Sequence, residues 1–348
     1  NTGSSNTAVG STALDTNSSG TNNTAVGYAA LTANTTASNN VALGYQASYT
    51  NATGTPNTAV GYQALYANVA SNNDAFGYQT LDSNTTGSNN AAFGTQALQA
   101  NTTGSYNTAS GYQSLYSNTT GAGNSAFGYQ SLSNNTTSNN NTAFGRETLL
   151  TNATGADNAT FGYRSLYNNT GSFNTAYGNR ALENNTSGAN NTALGYTAGR
   201  LQPDGTALTT AANSVYLGAE TKGWSNSDSN SIVIGYNAIG AGANTAVLGN
   251  DSITRTLLKG NVFINAIATN STTTPTGCVG CLIIASSTAP TATTTNAIAL
   301  FAVDIGGLGH ELRVQDETGN VTTLSPHNFS LFKPDEDALL PWSYASEN

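Results

Sequence analysis

A unit of 17 residues recurs twelve times within the first 200 residues of this 348-residue chain. Nine of the steps between successive copies are 17 residues long and two are 16. A short fixed period predicts a chain wound into stacked coils, because one coil alone cannot bury its own apolar face. The copies, typified by NTAVGYQALYANTTGSN, begin at Asn6, Asn23, Asn40, Asn57, Asn73, Asn90, Asn107, Asn124, Asn141, Asn158, Asn174 and Asn191.

The positions of the unit, counted from its first Asn, differ in the residues that they accept. Position five is Gly in all twelve copies, which predicts a positive φ or a backbone approach that no Cβ permits. Position three is Ala except at Thr160, so we expect a thin, tightly packed interior. Position nine is Leu except at Ser48 and Gly199, and we interpret it as the main core column.

The segment Asn-Thr-Ala-Val-Gly-Tyr predicts one short strand, in which successive residues face opposite sides. Positions three and five then point into the coil, while the bulky apolar residues at position four form a stripe outside. Such a stripe usually marks an interface, so we predict a parallel homo-oligomer, a homotrimer. The alternative is a flattened monomeric solenoid in which both columns are internal. At about 4.8 Å per coil, twelve coils predict a rod about 58 Å long.

Position six is Tyr in eight copies, but it is also Arg146 and Asn179, so we expect it to be at least partly wet. Aromatic faces suit sugars and protein surfaces, which makes this column the candidate ligand-binding surface. The candidate residues are Tyr28, Tyr45, Tyr62, Tyr78, Tyr112, Tyr129 and Tyr163.

Position twelve is Asn in the first eleven copies. Stacked Asn side chains form hydrogen bonds from coil to coil, so we predict a ladder at this corner. Both shortened copies lose their residue after this Asn, which predicts a tolerant loop there. Several of these residues also match the N-glycosylation acceptor, and we favour the ladder over the glycan.

Composition excludes two classes of partner. Only 8% of the residues are charged, the formal net charge is −9, and no Lys or Arg precedes Arg146. Nucleic-acid binding and polybasic membrane contact both require a basic stripe, so we predict neither. No apolar run approaches the roughly 20 residues of a membrane helix, so we predict no direct membrane insertion. Because the chain begins at Asn1 rather than Met, we expect a processed or partial product.

The repeats, together with NSVYLG, NSIVIG and NTAVLG further on, resemble the head repeats of trimeric autotransporter adhesins and the tail-fibre proteins of phages. The resemblance covers residues 6–262. It implies left-handed parallel β-roll coils, three chains per fibre, and attachment to a host or surface. The unit here is longer than the adhesin head unit, so its extra corner loop is its own.

We therefore predict an all-β fold: a parallel β-roll or β-solenoid of 17-residue coils in a homotrimeric fibre, with a small C-terminal β-meander. The repeat rod occupies residues 1–200, and irregular head-like coils follow at 201–265. Residues 266–296 are rich in Thr, Ser and Pro and predict a linker with a short strand. Residues 297–348 predict a small β region and a tail.

Isolated motifs outside the repeat are weak. Cys278 and Cys281 form one Cys-x-x-Cys, for which a structural pair, a local disulfide and a metal or redox site all stay open. Trp224 beside Lys222 is interpreted as cover for a coil edge, with a ligand-binding aromatic as the alternative. The acidic run that begins at Asp335 lacks the calcium-loop pattern and predicts a solvated turn.

Catalytic constellations are not recognisable. The only histidines are His310 and His327, and Glu147, Asp157 and Glu183 stand at unrelated positions, so we expect no clustering of acids. The prediction is a non-enzymatic protein with no cofactor and no metal site.

The functional prediction is an extracellular, cell-surface or virion tail-fibre rod that attaches to a host or cell-surface glycan or protein. The alternative is a structural subunit of a filament or appendage without its own receptor site. Ice binding is disfavoured because Thr at position two is interrupted in several coils.

Overall fold

The structure, a computed structural model, describes residues 3–254, 256, 299–304, 310–315 and 321–324. The chain divides into two compact units, Asn1–Thr256 and Leu257–Asn348. The described residues form strands and turns and contain no α-helix. Cys278, Cys281, His327 and Asp335 lie outside the described residues, so the predictions made for them stay predictions.

The first unit is a single sheet of fifteen strands in which every strand pairs with the next along the chain. One short strand is contributed by each coil. The strands are β1 Thr7–Val9, β2 Thr24–Val26, β3 Val41–Leu43, β4 Asn57–Val60, β5 Asn73–Phe76, β6 Ala91–Phe93, β7 Thr108–Ser110, β8 Ser125–Phe127, β9 Thr142–Phe144, β10 Ala159–Phe161, β11 Thr175–Tyr177, β12 Thr192–Leu194, β13 Val215–Leu217, β14 Ile232–Ile234 and β15 Ala246–Leu248.

All strand pairs of this fifteen-stranded sheet are parallel, and within the repeat equivalent positions pair with one another. Ala25, for example, pairs with Ala8 on one side and with Ala42 on the other. The register holds across the shortened copies too, where Ala59 pairs with Ala75. The predicted all-β parallel solenoid of 17-residue coils is therefore confirmed.

The interior contains the two columns that the repeat predicted, and the small residues of position eight, such as Ala30 and Ser114, are buried beside them. The Ala side chains of position three are fully buried from Ala25 onward, and those of position nine are buried from Leu14 onward. Each Leu lies in a turn that follows the strand, so it fills the coil opposite the small Ala. Burial of one Leu side chain contributes about 2 kcal/mol. The alternation of one large and one small column gives the narrow core.

The turn after each strand adopts a conformation that the composition did not predict. Residues at positions seven and nine have left-handed φ although they are not Gly, as in Gln113 (φ 52°) and Leu115 (φ 50°). Such residues are normally disfavoured in this region by about 1–2 kcal/mol each. Hydrogen bonds to both neighbouring coils hold them there. The Leu115 N–H donates to the Ser131 carbonyl of the next coil at 3.0 Å, and the Gln113 N–H donates to the Thr95 carbonyl of the preceding coil at 3.0 Å.

The Gly of position five satisfies both predicted reasons for its presence. Gly111 has a φ of +141°, and a Cβ placed on it would lie 2.4 Å from the carbonyl oxygen of Gly128 in the next coil. The same contact recurs at Gly27 with Gly44. Successive coils therefore touch through backbone alone at this position, and only a residue without a side chain fits.

The predicted Asn ladder at position twelve is present, and its side chains are buried rather than placed on a surface loop. Asn118 donates through Nδ2 to Asn101 Oδ1 at 2.8 Å and to the Gly121 carbonyl at 3.0 Å. Asn135 repeats the pattern on Asn118 at 2.8 Å. The glycosylation triplets at these Asn residues are thus buried, hydrogen-bonded ladder amides in the folded coil.

A second ladder runs at position one. The Asn124 N–H donates to Asn107 Oδ1 at 2.9 Å, while Asn124 Nδ2 donates to the Ser138 carbonyl at 2.9 Å. The ladder is interrupted at Asn40, whose buried side-chain amide has no hydrogen-bond partner among the described residues. The two Asn columns thus satisfy the backbone where the chain bends between strands.

The exceptional Gly199 at position nine has a structural cause one coil further on. Position three of the next coil is Tyr216 instead of Ala, and its ring is fully buried. A Cβ on Gly199 would lie 2.7 Å from Tyr216 Cδ2, so the absent Leu side chain makes room for the ring. Between these coils the chain makes a short excursion in which Leu201 pairs with Ala207.

The second unit contains an antiparallel three-stranded sheet. Its strands are β16 Ala299–Asp304, β17 His310–Gln315 and β18 Val321–Leu324, in sequence order. This is the β-meander that the sequence predicted between residues 297 and 324.

We predict that Gly111→Ala lowers the free energy of unfolding of the solenoid by more than about 3 kcal/mol. Strain at positive φ contributes about 1–3 kcal/mol, and the clash with the next coil adds to it. Gly205→Ala is the matched control, because Gly205 also has positive φ (+84°) but a Cβ there meets nothing within 4 Å. Chemical denaturation of both variants measures the difference, and equal losses would contradict the backbone contact.

We also predict that Asn135→Ala costs about 2–4 kcal/mol, since it leaves several buried hydrogen-bond partners unsatisfied. The neighbouring Asn134 is exposed, so Asn134→Ala is expected to change stability by less than about 0.5 kcal/mol. Thermal unfolding followed by circular dichroism compares the two. If Asn134→Ala proved the more damaging variant, the ladder would have been misassigned.

Candidate binding surface

The candidate tyrosines form a stacked column on the outside of the coils. Tyr28, Tyr45, Tyr62 and Tyr78 lie with ring centroids 5.1–5.3 Å apart and nearly parallel planes. Tyr112 and Tyr129 form a second stack at 5.3 Å. The break between the stacks is Thr95, which occupies the same position in the intervening coil. Their exposed fractions are 41–52%, so each ring keeps about half of its surface in water.

Tyr163 differs from the other candidates because it is half-buried under cationic side chains. The guanidinium carbons of Arg146, Arg164 and Arg180 lie 5.7–5.8 Å from its ring centroid. Tyr196, which continues the column one coil beyond Asn179, is 52% exposed. The structure therefore places all seven candidates in one column but gives Tyr163 a different environment.

Beside the tyrosines runs a ladder of glutamines at position seven. Gln63 donates through Nε2 to Gln46 Oε1 at 2.9 Å, and Gln130 does the same to Gln113 at 2.9 Å. These amides order the surface next to the rings. In the next three coils the position is occupied by Glu147, Arg164 and Arg180, and ion pairs take the place of the amide ladder.

The ion pairs correct the expectation that the acids of the repeat do not cluster. Glu147 pairs with Arg146 at 2.9 Å and with Arg164 at 2.9 Å. Glu183 pairs with Arg200 at 2.5 Å and lies 3.6 Å from Arg164. Although these residues stand at positions six, seven and ten, the turn brings the three positions onto one face.

The sequence did not predict this Arg–Glu network. Its members are Arg146, Glu147, Arg164, Arg180, Glu183 and Arg200. Arg164 also lies over the Tyr167 ring at 4.1 Å. Desolvation lowers the pKa of its guanidinium, but the hydrogen bond with Tyr167 and the Glu147 carboxylate outweigh this effect, so that the pKa is raised. One feature of the sequence could have indicated the network: every Lys and Arg before residue 255 falls after residue 145, so the cations of these coils are concentrated in one part of the chain.

The outer sheet face is formed by the side chains of positions two and four on β1–β15. Position two is most often Thr, whereas position four is mostly bulky, apolar and exposed. Phe127, Phe144, Phe161 and Tyr177 stack with ring centroids 4.2–5.8 Å apart. Phe161 keeps 51% of its surface exposed. Parallel sheets are usually covered on both faces, so the bare outer face is unusual for a single chain. The predicted exterior stripe is confirmed as a feature of the chain.

A shallow cavity of about 270 Å³ lies where the regular repeat ends. Its lining residues are Tyr196, Thr197, Arg200, Leu201, Glu220 and Lys222.

Trp224, which the sequence reading placed at a coil edge, is 55% exposed. Its backbone N–H donates to Asp228 Oδ2 at 2.7 Å. The two interpretations of this Trp therefore stay predictions.

Two further properties concern only the part of the chain that the structure describes. There, no group of three or more His, Cys, Asp or Glu side chains is arranged to hold a metal ion. In the same residues, no helix is long and apolar enough to cross a membrane.

The fold and the repeat together define the first unit as a β-solenoid repeat protein with coils of about 17 residues, consistent with a β-roll. No protein-family model matches the chain, and no similar curated protein is found.

Proposed function

We propose that this chain is a non-enzymatic extracellular attachment rod, resembling autotransporter adhesin heads and phage tail fibres, at a cell surface or in a virion tail fibre. The observation that carries the proposal is the half-exposed, stacked tyrosine column on a rigid run of coils. Exposed aromatic faces at fixed spacing suit a glycan or a protein on a host surface. Many weak contacts along one rod add through avidity.

A homotrimer is part of this proposal. Support comes from the outer sheet face. There, Phe144, Phe161 and Leu194, which all stand at position four of their coils, are 36–51% exposed. Soluble proteins seldom leave so long an apolar surface uncovered. Three copies packed through these faces would bury it.

The trimer is tested by Phe144→Ser with Phe161→Ser, because Ser110 already occupies this position in another coil. Each buried Phe contributes about 2 kcal/mol, so we expect the trimer to weaken sharply. Light scattering measures the mass of the parent protein and of the double variant. Tyr28→Ser is the matched control and should leave the trimer intact, since it lies outside the outer sheet face. A monomeric parent protein would overturn the trimer.

The attachment role is tested on a glycan array and on intact cells. We expect binding that falls at least about tenfold when Tyr28, Tyr45, Tyr62 and Tyr78 are changed to Thr, because one or two lost aromatic contacts suffice for that change. Thr95 occupies the same position, so the substitutions suit the fold. Binding that the four changes leave unaltered would remove the tyrosine column from the proposal.

A structural filament without a receptor site of its own is the second candidate. The exposed apolar residues of position four support it as well, because packing between copies in a filament would also cover them. Electron microscopy separates the candidates: isolated short rods support attachment, and long end-to-end polymers support the filament.

A further inference from the structure

The cations of the solenoid are confined to one stretch of one surface. Residues 1–254 contain five Lys or Arg, and five successive coils carry one each. Ion pairs link the first four of them into the Arg–Glu network. Arg200, the last member of the network, lines the same cavity as Lys222. The five are Arg146, Arg164, Arg180, Arg200 and Lys222.

Positive charge exceeds negative charge at the turn positions of these coils, although the whole chain carries −9. Positions six to ten of the five coils hold three carboxylates, Glu147, Glu183 and Glu220, against the five cations. Asp157 and Asp204 stand elsewhere in the coils and bring residues 129–222 to five acids and five bases. The two network carboxylates are largely covered, with side-chain exposures of 12% and 7%, whereas the Arg146 side chain is 63% exposed. The surface that a ligand meets is therefore cationic.

Aromatic rings flank the cations. The Arg146 guanidinium carbon lies 5.5 Å from the Tyr129 ring centroid and 5.7 Å from that of Tyr163. At the far end, Tyr196 lines the cavity together with Arg200 and Lys222. Three of the cations, Arg146, Arg164 and Arg180, thus lie within 6 Å of a tyrosine ring centroid, and the other two share a cavity with Tyr196.

Lys222 is the cation available to a ligand in the cavity. It is half-buried, and within the described residues no carboxylate lies within ion-pair distance of its ammonium group. Arg200 is already oriented by Glu183 at 2.5 Å. The cavity therefore combines one pre-oriented guanidinium with one ammonium that makes no ion pair within the described residues, and one carboxylate, that of Glu220, also lines it.

We propose that this stretch, from Tyr129 to Lys222, binds a carboxylated polysaccharide. Guanidinium and ammonium groups would bind the sugar carboxylates, and the rings of Tyr129, Tyr163 and Tyr196 would pack against sugar faces. A polymer whose carboxylates recur along its length fits cations that recur coil after coil. The proposal deepens the attachment function, on which it rests, by giving the chemical class of the ligand.

Nucleic acid fits this stretch poorly. A phosphate backbone requires a dense basic surface, and here three carboxylates stand among the five cations. The Asn, Thr and Ser side chains that dominate the composition supply neutral hydrogen-bonding groups, which suit sugar hydroxyls.

The test is calorimetric titration of the protein with oligogalacturonate, and the methyl ester of the same oligosaccharide serves as the neutral comparison. We expect binding of the free acid and at least about tenfold weaker binding of the ester, because charge-assisted hydrogen bonds are lost. Dextran sulfate is the polyanion comparison. Equal affinity for dextran sulfate and oligogalacturonate, abolished alike by moderate salt, would show non-specific charge attraction and overturn the proposal.

Variants locate the site. Lys222→Gln breaks no ion pair, and Arg146→Asn and Arg180→Gln introduce residues that other coils accept at positions six and seven. Each is expected to weaken oligogalacturonate binding about tenfold. Glu147→Gln should strengthen binding, since it removes a competing carboxylate; a purely structural network would give weakening instead. Circular dichroism melting confirms that each variant is folded.

The outcomes for the two proposals are distinct. Binding to cells or neutral glycans without binding to oligogalacturonate would overturn the carboxylated ligand and leave the attachment function standing. Oligogalacturonate binding that Lys222→Gln and Arg146→Asn leave unchanged would also overturn the site. Absence of binding to every surface and glycan would overturn both proposals.

Discussion

Backbone contact between successive coils at the Gly of position five is the constraint on which the remainder of the solenoid depends. Gly27, Gly61 and Gly111 all show it, since a Cβ placed on each would lie only 2.2–2.4 Å from the carbonyl oxygen of the Gly in the next coil. Once the backbones approach this closely, equivalent residues must lie directly above one another, and the strands fall into parallel register. The Ala interior, the Asn ladders and the stacked aromatic rings follow from that register.

Much of this architecture could be predicted because the repeat reports on each position many times. The interior Ala and Leu, the Asn ladder at position twelve and the exposed apolar stripe are direct consequences of the period and of strand alternation. The left-handed φ of Gln113 and Leu115 escaped prediction, since composition gives no hint of it at Gln or Leu. Those turns are stabilised by inter-coil hydrogen bonds, which a single coil does not reveal.

The candidate surface was only partly predictable for the same reason. Each tyrosine of the column stands at position six of its coil, so the repeat alone predicts that the tyrosines lie above one another, and the structure places the column on the outside. The Arg–Glu network joins positions six, seven and ten, which come together only because of the turn. The residues found at any one position therefore do not predict it. Likewise, Gly199 is intelligible only with Tyr216 in the next coil, because the ring occupies the space that a Leu would fill.

The pairing of equivalent residues also has a consequence for how such a chain can change. Since each coil meets only its immediate neighbours, duplication or deletion of a whole unit recreates junctions already present elsewhere. Molecular length is therefore adjustable in increments of one coil, without redesign of the interior. The junction between Gly199 and Tyr216 is the exception, because the Tyr216 ring fits only against a coil that has Gly rather than Leu at position nine. A unit inserted there would separate them, so variation in length is compatible with the regular coils before it.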